Sequence, residues 1–506
     1  MYLQDREIEL KLSVASPTGR VLAGREVAGA RPRNVESIYF DTQDGKLRSA
    51  GFCLRLRKDR GRWLQTVKSE EDSVQGRYEH ERPVKRGSVD FALLKQTPLD
   101  GVIDGDDDLQ PIFLTRVRRR SQNRKCQESQ IEFSLDEGEI IAAGRTSPIL
   151  ELELELKSGR LADVFAEARR LVQADGLTPA FTSKSERGYL LAEGDCERAP
   201  KFRGPRFSGK IPTGVVFQGI GRACLRQLTA NAELLAAGAR LEALHQVRVS
   251  LRRLRVALIV FRPVLADGEY EAVKKELRWL TGEMADARNL DVFIQDSFRS
   301  AVDQAVDSGV MATFGRGLID AQHEAYRRAA AAVRSKRFRT LVVDIARWIA
   351  DGEWTRTALT AHSAAAPCGE FARGALDKRR WAVKKRYKSM DWKDPIARHK
   401  LRIGIKKIRY ASEFFAGLVG KNRRRRFDDY IGALEDLQES LGRLNDIRVG
   451  EDTARLALSA LEGADSKEGA HYAAGVVVGR TTVGVQPLVR SARRACRELL
   501  ESPPWW

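Results

Sequence analysis

The stretch SPILELELELK (Ser147–Lys157) sets a carboxylate at every second position, Glu151, Glu153 and Glu155, with leucines between them. Alternation at period two belongs to a strand whose successive side chains point to opposite faces, so the three glutamates share one face and the leucines the other. Like charges side by side destabilise a sheet unless positive charge or a bound ligand faces them. A shorter copy, EIELK (Glu7–Lys11), groups Glu7, Glu9 and Lys11 on one face in the same way.

Further alternating segments are ESIYFDT, FCLRLRK, RWLQTVKS, GRYEHERPV, LTRVRRRSQ and SQIEFSLDEGEI, which with the first two make eight before about residue 190. Such spacing, with turn residues between, predicts an antiparallel barrel or sandwich, interrupted by helical pieces near Asp90–Leu94 and Leu161–Ala174. The polar faces carry both signs: Arg55 and Arg57, Lys68, Glu79 and Glu81, Arg116 and Arg118, and Glu132. Turned inward, they enclose a lumen that is costly to desolvate empty. Filled by a compact polyanion and divalent cations it is consistent, because bases pair with phosphate oxygens and carboxylates hold hard cations. DEGE (Asp136–Glu139) suits either a site or a turn, and His80 reads as structural or solvated.

Gly194–Gly214 collects Pro, Gly and basic residues and reads as a linker. Beyond it the Ala, Leu, Arg and Glu spacing is helical. This part repeats itself. HQVRVSLRRLR begins at His245 and HKLRIGIKKIR at His399, each with bases at +3, +7 and +10: Arg248, Arg252 and Arg255, then Arg402, Lys406 and Arg409. Steps of three and four keep these on one helical face. ARNLDVF, with Arg288 and Asp291, and GRLNDIRV, with Arg443 and Asp446, follow at matched distances. Two copies of one helical bundle are expected.

The net charge of +19 is unevenly placed: residues 1–200 hold 33 Lys and Arg against 34 Asp and Glu, so 55 of the 88 basic but 35 of the 69 acidic residues lie in 201–506. A polyanionic partner for that part follows. The six cysteines are scattered, which excludes short-spaced zinc and redox motifs. Residues 1–30 contain no signal-peptide stretch and the longest apolar run, Val256–Phe261, is too short to cross a bilayer, so a cytoplasmic protein without membrane contact is expected. There is no Walker loop, and nucleic acid is disfavoured because stacking aromatics and its motifs are missing.

In order, EIELKL, LRLRK, TVKS, IEFSLDEGEI, ELELELKSG and SKSERGYLL resemble the CYTH domain of the triphosphate tunnel metalloenzymes over about residues 4–192. The resemblance implies an eight-stranded antiparallel β-barrel tunnel that hydrolyses inorganic triphosphate to pyrophosphate and phosphate with Mg²⁺ or Mn²⁺. It implies Glu7, Glu9, Glu151 and Glu153 as metal ligands, with Glu155, Glu132, Asp136, Glu79 and Glu81 as further candidates. Lys11, Arg55, Arg57, Lys68, Arg116 and Arg118 become the triphosphate clamp, with Lys184 and Arg187 closing the tunnel end. Glu7, Glu9 and Lys11 form the catalytic group. Thiamine triphosphate or a nucleotide is the alternative substrate, and a catalytically weak polyphosphate-localising protein the alternative function.

The helical half, about Val215–Glu501, is similar to the CHAD domain through its two histidine helices and their ARNLDVF and GRLNDIRV partners. That similarity implies an α-helical module that binds inorganic polyphosphate, and with it an association with polyphosphate granules. The implied contacts are His245, Arg248, Arg252, Arg253, Arg255, Arg288, His399, Arg402, Lys406, Lys407, Arg409 and Arg443. The expected architecture is multidomain α+β: tunnel domain 1–193, linker 194–214 and helical domain 215–502, with repeats near 215–350 and 370–502.

Overall fold

The computed structural model describes residues 6–506 apart from 70–76, 86, 175, 196–199, 206, 239–240, 304–307 and 462–466. An antiparallel sheet dominates the N-terminal part and helices the remainder. The strands are β1 (Arg6–Glu7), β2 (Glu9–Val14), β3 (Arg33–Asp41), β4 (Phe52–Asp59), β5 (Arg62–Ser69), β6 (Arg77–Val84), β7 (Gln110–Cys126), β8 (Ser129–Ala142), β9 (Arg145–Ser158) and β10 (Leu177–Ala180).

All eight expected segments form strands, but the sheet is not a closed ring of eight. Its order is β1-β6-β5-β4-β3-β7-β8-β9-β2-β10. Two causes raise the count to ten. The EIELK segment breaks at Ile8, so that β1 pairs with β6 while β2 pairs with β9. The short β10 then adds to the outer side of β2, with Pro179 on this edge strand, where a missing N–H is tolerated. The sheet curls far enough that one residue separates β1 at one edge from β2 near the other. Ile8 itself accepts a 2.9 Å hydrogen bond from Leu156 N.

The leucine face of β9 is core: Leu152 and Leu154 are fully buried, beside Leu12 of β2 and Phe133 and Leu135 of β8. Helix Leu161–Val172 packs here through Val164, Phe165, Ala168 and Leu171. Its length agrees with the expected Leu161–Ala174, and Phe91–Leu94 forms the other expected piece. Helices Pro17–Glu26, Lys46–Ala50 and Lys184–Glu193 are additional.

The chain forms two compact units. The first comprises residues up to Phe202 together with Phe217–Leu234 and Arg334–Thr357. Helix Lys336–Asp351 belongs to it through Arg339, which is 5% exposed and donates to the carbonyls of Val172 (3.1 Å), Arg334 (2.6 Å) and Ala174 (3.4 Å). The rings of Trp348 and Trp354 meet Phe217 edge-on. The second unit comprises Arg203–Val216, Leu235–Val333 and Ala358–Trp506. In it each histidine motif occupies a 20-residue helix, Leu241–Val260 and Pro395–Phe414. Their apolar faces, Leu244, Val247, Leu251 and Leu254, and Leu401, Ile405 and Ile408, are buried. Among the described residues no helix is long and apolar enough to cross a membrane.

Candidate functional site

The charged faces of the curled sheet line one cavity of about 480 Å³. Register sets its layout. Across β2 and β9, Lys11 faces Glu153 and Glu9 faces Glu155. Across β8 and β9, Asp136 faces Glu151, and across β7 and β8 it faces Arg119. The carboxylates that looked crowded in sequence are therefore interleaved with cations in space. Arg119 grips Asp136 with two 2.6 Å hydrogen bonds and reaches Glu153 at 2.7 Å. Lys184, the first residue of helix Lys184–Glu193, lies 2.7 Å from Asp136 and from Glu153 and touches Glu151. Arg187, one turn on, reaches Glu151 at 3.3 Å. Lys11 lies 3.2 Å from Glu9.

A second group stands on β4, β5 and β6. Arg55 pairs with Glu79 at 3.3 Å, Arg57 with Glu81 at 2.9 Å and Lys68 with Glu79 at 3.0 Å, while Thr66 donates to Glu81. The Nε–H groups of Arg55 and Arg57 are buried without a hydrogen-bond partner. Burial opposes charge on Glu153, yet Lys184, Arg119 and Lys11 hold its carboxyl well below the usual range. For Lys11, burial lowers and Glu9, Glu153 and Glu151 raise, with the carboxylates winning. Arg57 is pushed down by burial and by Arg55. Burial opposes charge on the neighbouring Arg55 as well, yet Tyr39, Glu79 and Glu81 hold it above its usual range.

In the second unit the two histidine helices bring their bases to one basin. Burial and the neighbouring Arg252 and Arg402 push the Lys406 ammonium, 8% exposed, down to about 5. Burial with Arg252, Arg288 and Arg402 lowers Arg248 to about 10. Burial and the surrounding bases also lower His245 and His399. Arg248 donates to the Met284 carbonyl at 2.7 Å, and the Arg402 Nε is buried without a hydrogen-bond partner.

Residues 5–189 match the family model of the CYTH domain, and residues 219–455 match that of the CHAD domain. The chain joins a CYTH domain to a CHAD domain. An inorganic triphosphatase of Haemophilus influenzae (strain ATCC 51907 / DSM 11121 / KW20 / Rd) is 32% identical over 199 residues, covering 37% of this chain and 55% of that protein. The chain thus spans about half the length of this curated relative. The crystal structure of the CHAD domain from the plant Ricinus communis is similar with a TM-score of 0.51 and 25% identity, over 59% of this chain and 97% of that one.

Within the CYTH cavity the structure gathers Glu9, Lys11, Arg55, Arg57, Lys68, Glu79, Glu81, Glu132, Asp136, Glu153, Glu155 and Lys184, with Glu151 and Arg187 at the helix end. The Glu7 side chain lies outside what is described. Arg116 and Arg118 do not join. They are exposed on the opposite face of β7, where Arg116 pairs with Glu36, and the cavity receives Thr115, Val117 and Arg119 instead. LTRVRRR offers bases at both parities, so alternation alone could not choose between Arg118 and Arg119. DEGE is no turn: Asp136 is fully buried in mid-strand, and Gly138 is required because a Cβ there would lie 2.0 Å from the Arg116 carbonyl oxygen.

The CHAD bases sort similarly. Arg253 and Arg409 are both committed to Glu413, at 2.8 and 2.7 Å, and Arg409 also to Glu435. Lys407 is half-buried beside Arg379, Arg386 and Arg255, and Arg255 beside Arg278 and Arg252. Arg288 acts on His245 and Arg248. Arg443 is exposed, and Arg448, which the repeat pattern does not mark, acts on His399 and Arg402. Asp291 accepts from Gln322 and Tyr326, both at 2.8 Å.

CYTH membership implies a divalent cation, and the residues fit one. Asp136, Glu151 and Glu153 each offer a carboxylate oxygen, all within 4.8 Å of one another. Glu151 Oε1 is buried without a hydrogen bond of acceptable geometry. Hard oxygen donors of this kind suit Mg²⁺, Mn²⁺ or Ca²⁺ rather than soft metals. Glu9 lines the same cavity but stands outside this trio.

Proposed function

We propose that the CYTH cavity hydrolyses inorganic triphosphate to pyrophosphate and phosphate with Mg²⁺ or Mn²⁺, and that the CHAD basin binds polyphosphate. The observation that carries this reading is a single cavity lined by Asp136 and Glu153 of the carboxylate trio together with Arg55 and Arg57 of β4 and Lys68 of β5. In this reading Arg55, Arg57 and Lys68 hold the phosphate oxygens. Arg119 and Lys11 fix the orientation of Asp136, Glu153 and Glu9. Water attacks the terminal phosphorus in line, the bond to the pyrophosphate oxygen breaks, and the charge developing on that oxygen is met by guanidinium and ammonium groups. When bound by Asp136, Glu151 and Glu153, the cation supplies neutralisation of phosphoryl charge.

An unesterified substrate is favoured by the lining. Tyr39 is the only aromatic lining residue among those described, and its ring is stacked on Phe113 with centroids 4.4 Å apart. Among the described lining residues no pair of rings is offered to sandwich a base or thiazole. The name of the Haemophilus relative supports the same substrate. Polyphosphate binding is supported by the concentration of Arg248, Arg252, Arg402 and Lys406 with few carboxylates, and would place the protein on polyphosphate in the cytoplasm. The test is a phosphate-release panel over inorganic triphosphate, ATP, thiamine triphosphate and long-chain polyphosphate with Mg²⁺ or Mn²⁺. Fastest turnover is expected for inorganic triphosphate. Faster turnover of ATP or thiamine triphosphate would reject the substrate assignment.

A further inference from the structure

Lys184 stands where a cation is wanted. Its Nζ lies 2.7 Å from Asp136 Oδ2, 2.7 Å from Glu153 Oε1 and in contact with Glu151 Oε1. These are the three residues whose oxygens converge as a metal trio. The other nearby cations do not span it. Arg119 holds Asp136 and Glu153, Lys11 holds Glu9 and lies 3.7 Å from Glu153, and of the trio Arg187 reaches Glu151 alone, at Oε2. Glu151 Oε1 has no proper hydrogen bond despite the contact, so the ammonium satisfies that oxygen by charge alone.

We propose that Lys184 is a resident counter-ion that the divalent cation must displace, so that metal loading releases its ammonium toward the incoming phosphate. The inference rests on the metal-dependent reading of the cavity. An ammonium and a divalent ion cannot share three carboxylates, because a small hard cation requires its oxygens at about 2.0–2.6 Å and repels a second positive charge within hydrogen-bonding range. Position makes the exchange feasible. Lys184 opens its helix, Ser183 caps that helix by accepting from Glu186 N at 3.0 Å, and the four-carbon stem can swing without disturbing the helix hydrogen bonds. Before loading, the same ammonium pairs with all three buried carboxylates and leaves none of them without a cation in contact.

The test uses Mn²⁺ alone on the full chain, without substrate. By calorimetry, Lys184→Met should bind Mn²⁺ about tenfold tighter than wild type, since the competing ion is gone, and should melt at lower temperature without metal. In wild type, acylation of Lys184 by a water-soluble amine reagent, read by peptide mass spectrometry, should rise severalfold on Mn²⁺ saturation. The labelling decides even where the variant does not fold. Equal or weaker Mn²⁺ binding by a folded Lys184→Met, or labelling unchanged in Mn²⁺-saturated wild type, overturns the exchange and leaves the triphosphatase reading standing. Wild type that binds no Mn²⁺ overturns both.

Discussion

Glu153 meets Lys184, Arg119 and Lys11 at once, and its neutralisation leaves three buried cations short of a partner. If Glu153 holds the cation as proposed, Glu153→Gln should lower triphosphate turnover by about 10–100-fold, with the far-ultraviolet dichroism unchanged. Parity on β7 gives a sharper comparison. Arg119→Ala should be nearly as damaging, whereas Arg118→Ala, on the exposed face, should stay within about twofold of wild type, as for surface changes away from special features. Lys406 carries a pH prediction. An unfolded lysine titrates near 10.5 and the folded one is driven to about 5, so between these values the folded state holds fewer protons than the unfolded. Its contribution to stability is therefore present above pH 10.5 and lost progressively as pH falls toward 5. Lys406→Met should raise the melting temperature at pH 7, by about 2–4 °C for each kcal/mol relieved. A bound polyanion reverses the shift, Lys406 taking up a proton as the anion arrives, so wild-type polyphosphate affinity should increase from pH 9 to pH 6 and the Lys406→Met slope should flatten.

At the scale of elements, helix Lys336–Asp351 meets helix Leu161–Val172 through the buried guanidinium of Arg339 and through Arg169, which donates to Asp344 at 2.8 Å. Arg339 donates to three main-chain carbonyls, those of Val172, Ala174 and Arg334. Arg339→Met should destabilise the first unit by about 1–3 kcal/mol, the cost of leaving buried acceptors unpaired, seen as an earlier urea transition of tryptophan fluorescence, since Trp348 and Trp354 report on the same helix region. These helices were legible as helices but not as neighbours of the sheet. Their apolar periodicity shows that one face is buried, and periodicity carries no address. The eight strands were legible because each alternates. The break at Ile8 and the pairing of Pro179 were not, since both depend on which partner strand arrives alongside.

Over the whole molecule, the surplus of basic residues after position 200 predicts polyphosphate binding that weakens steeply with salt, through counterion release. Changing Arg248, Arg252, Arg402 and Lys406 together to Ala should cost several kcal/mol of that binding at about 1.5–3 kcal/mol per charge-assisted contact, measured by titration at two salt concentrations. A fragment ending at Phe202 lacks Phe217–Leu234 and Arg334–Thr357, which belong to the same compact unit, and should melt below the corresponding transition of the full chain. Sequence by itself determined the alternation of charged and apolar faces, the duplicated histidine helices and the segregation of charge, because each is a local period or a count that no folding event alters. Only the tertiary structure decided that Arg119 rather than Arg118 meets Asp136, that Arg253 and Arg409 are spent on Glu413, and that Lys184 sits among three carboxylates. Those outcomes turn on inter-strand register and on where a helix end lands, and a shift of one residue, invisible in the pattern, exchanges one face for the other.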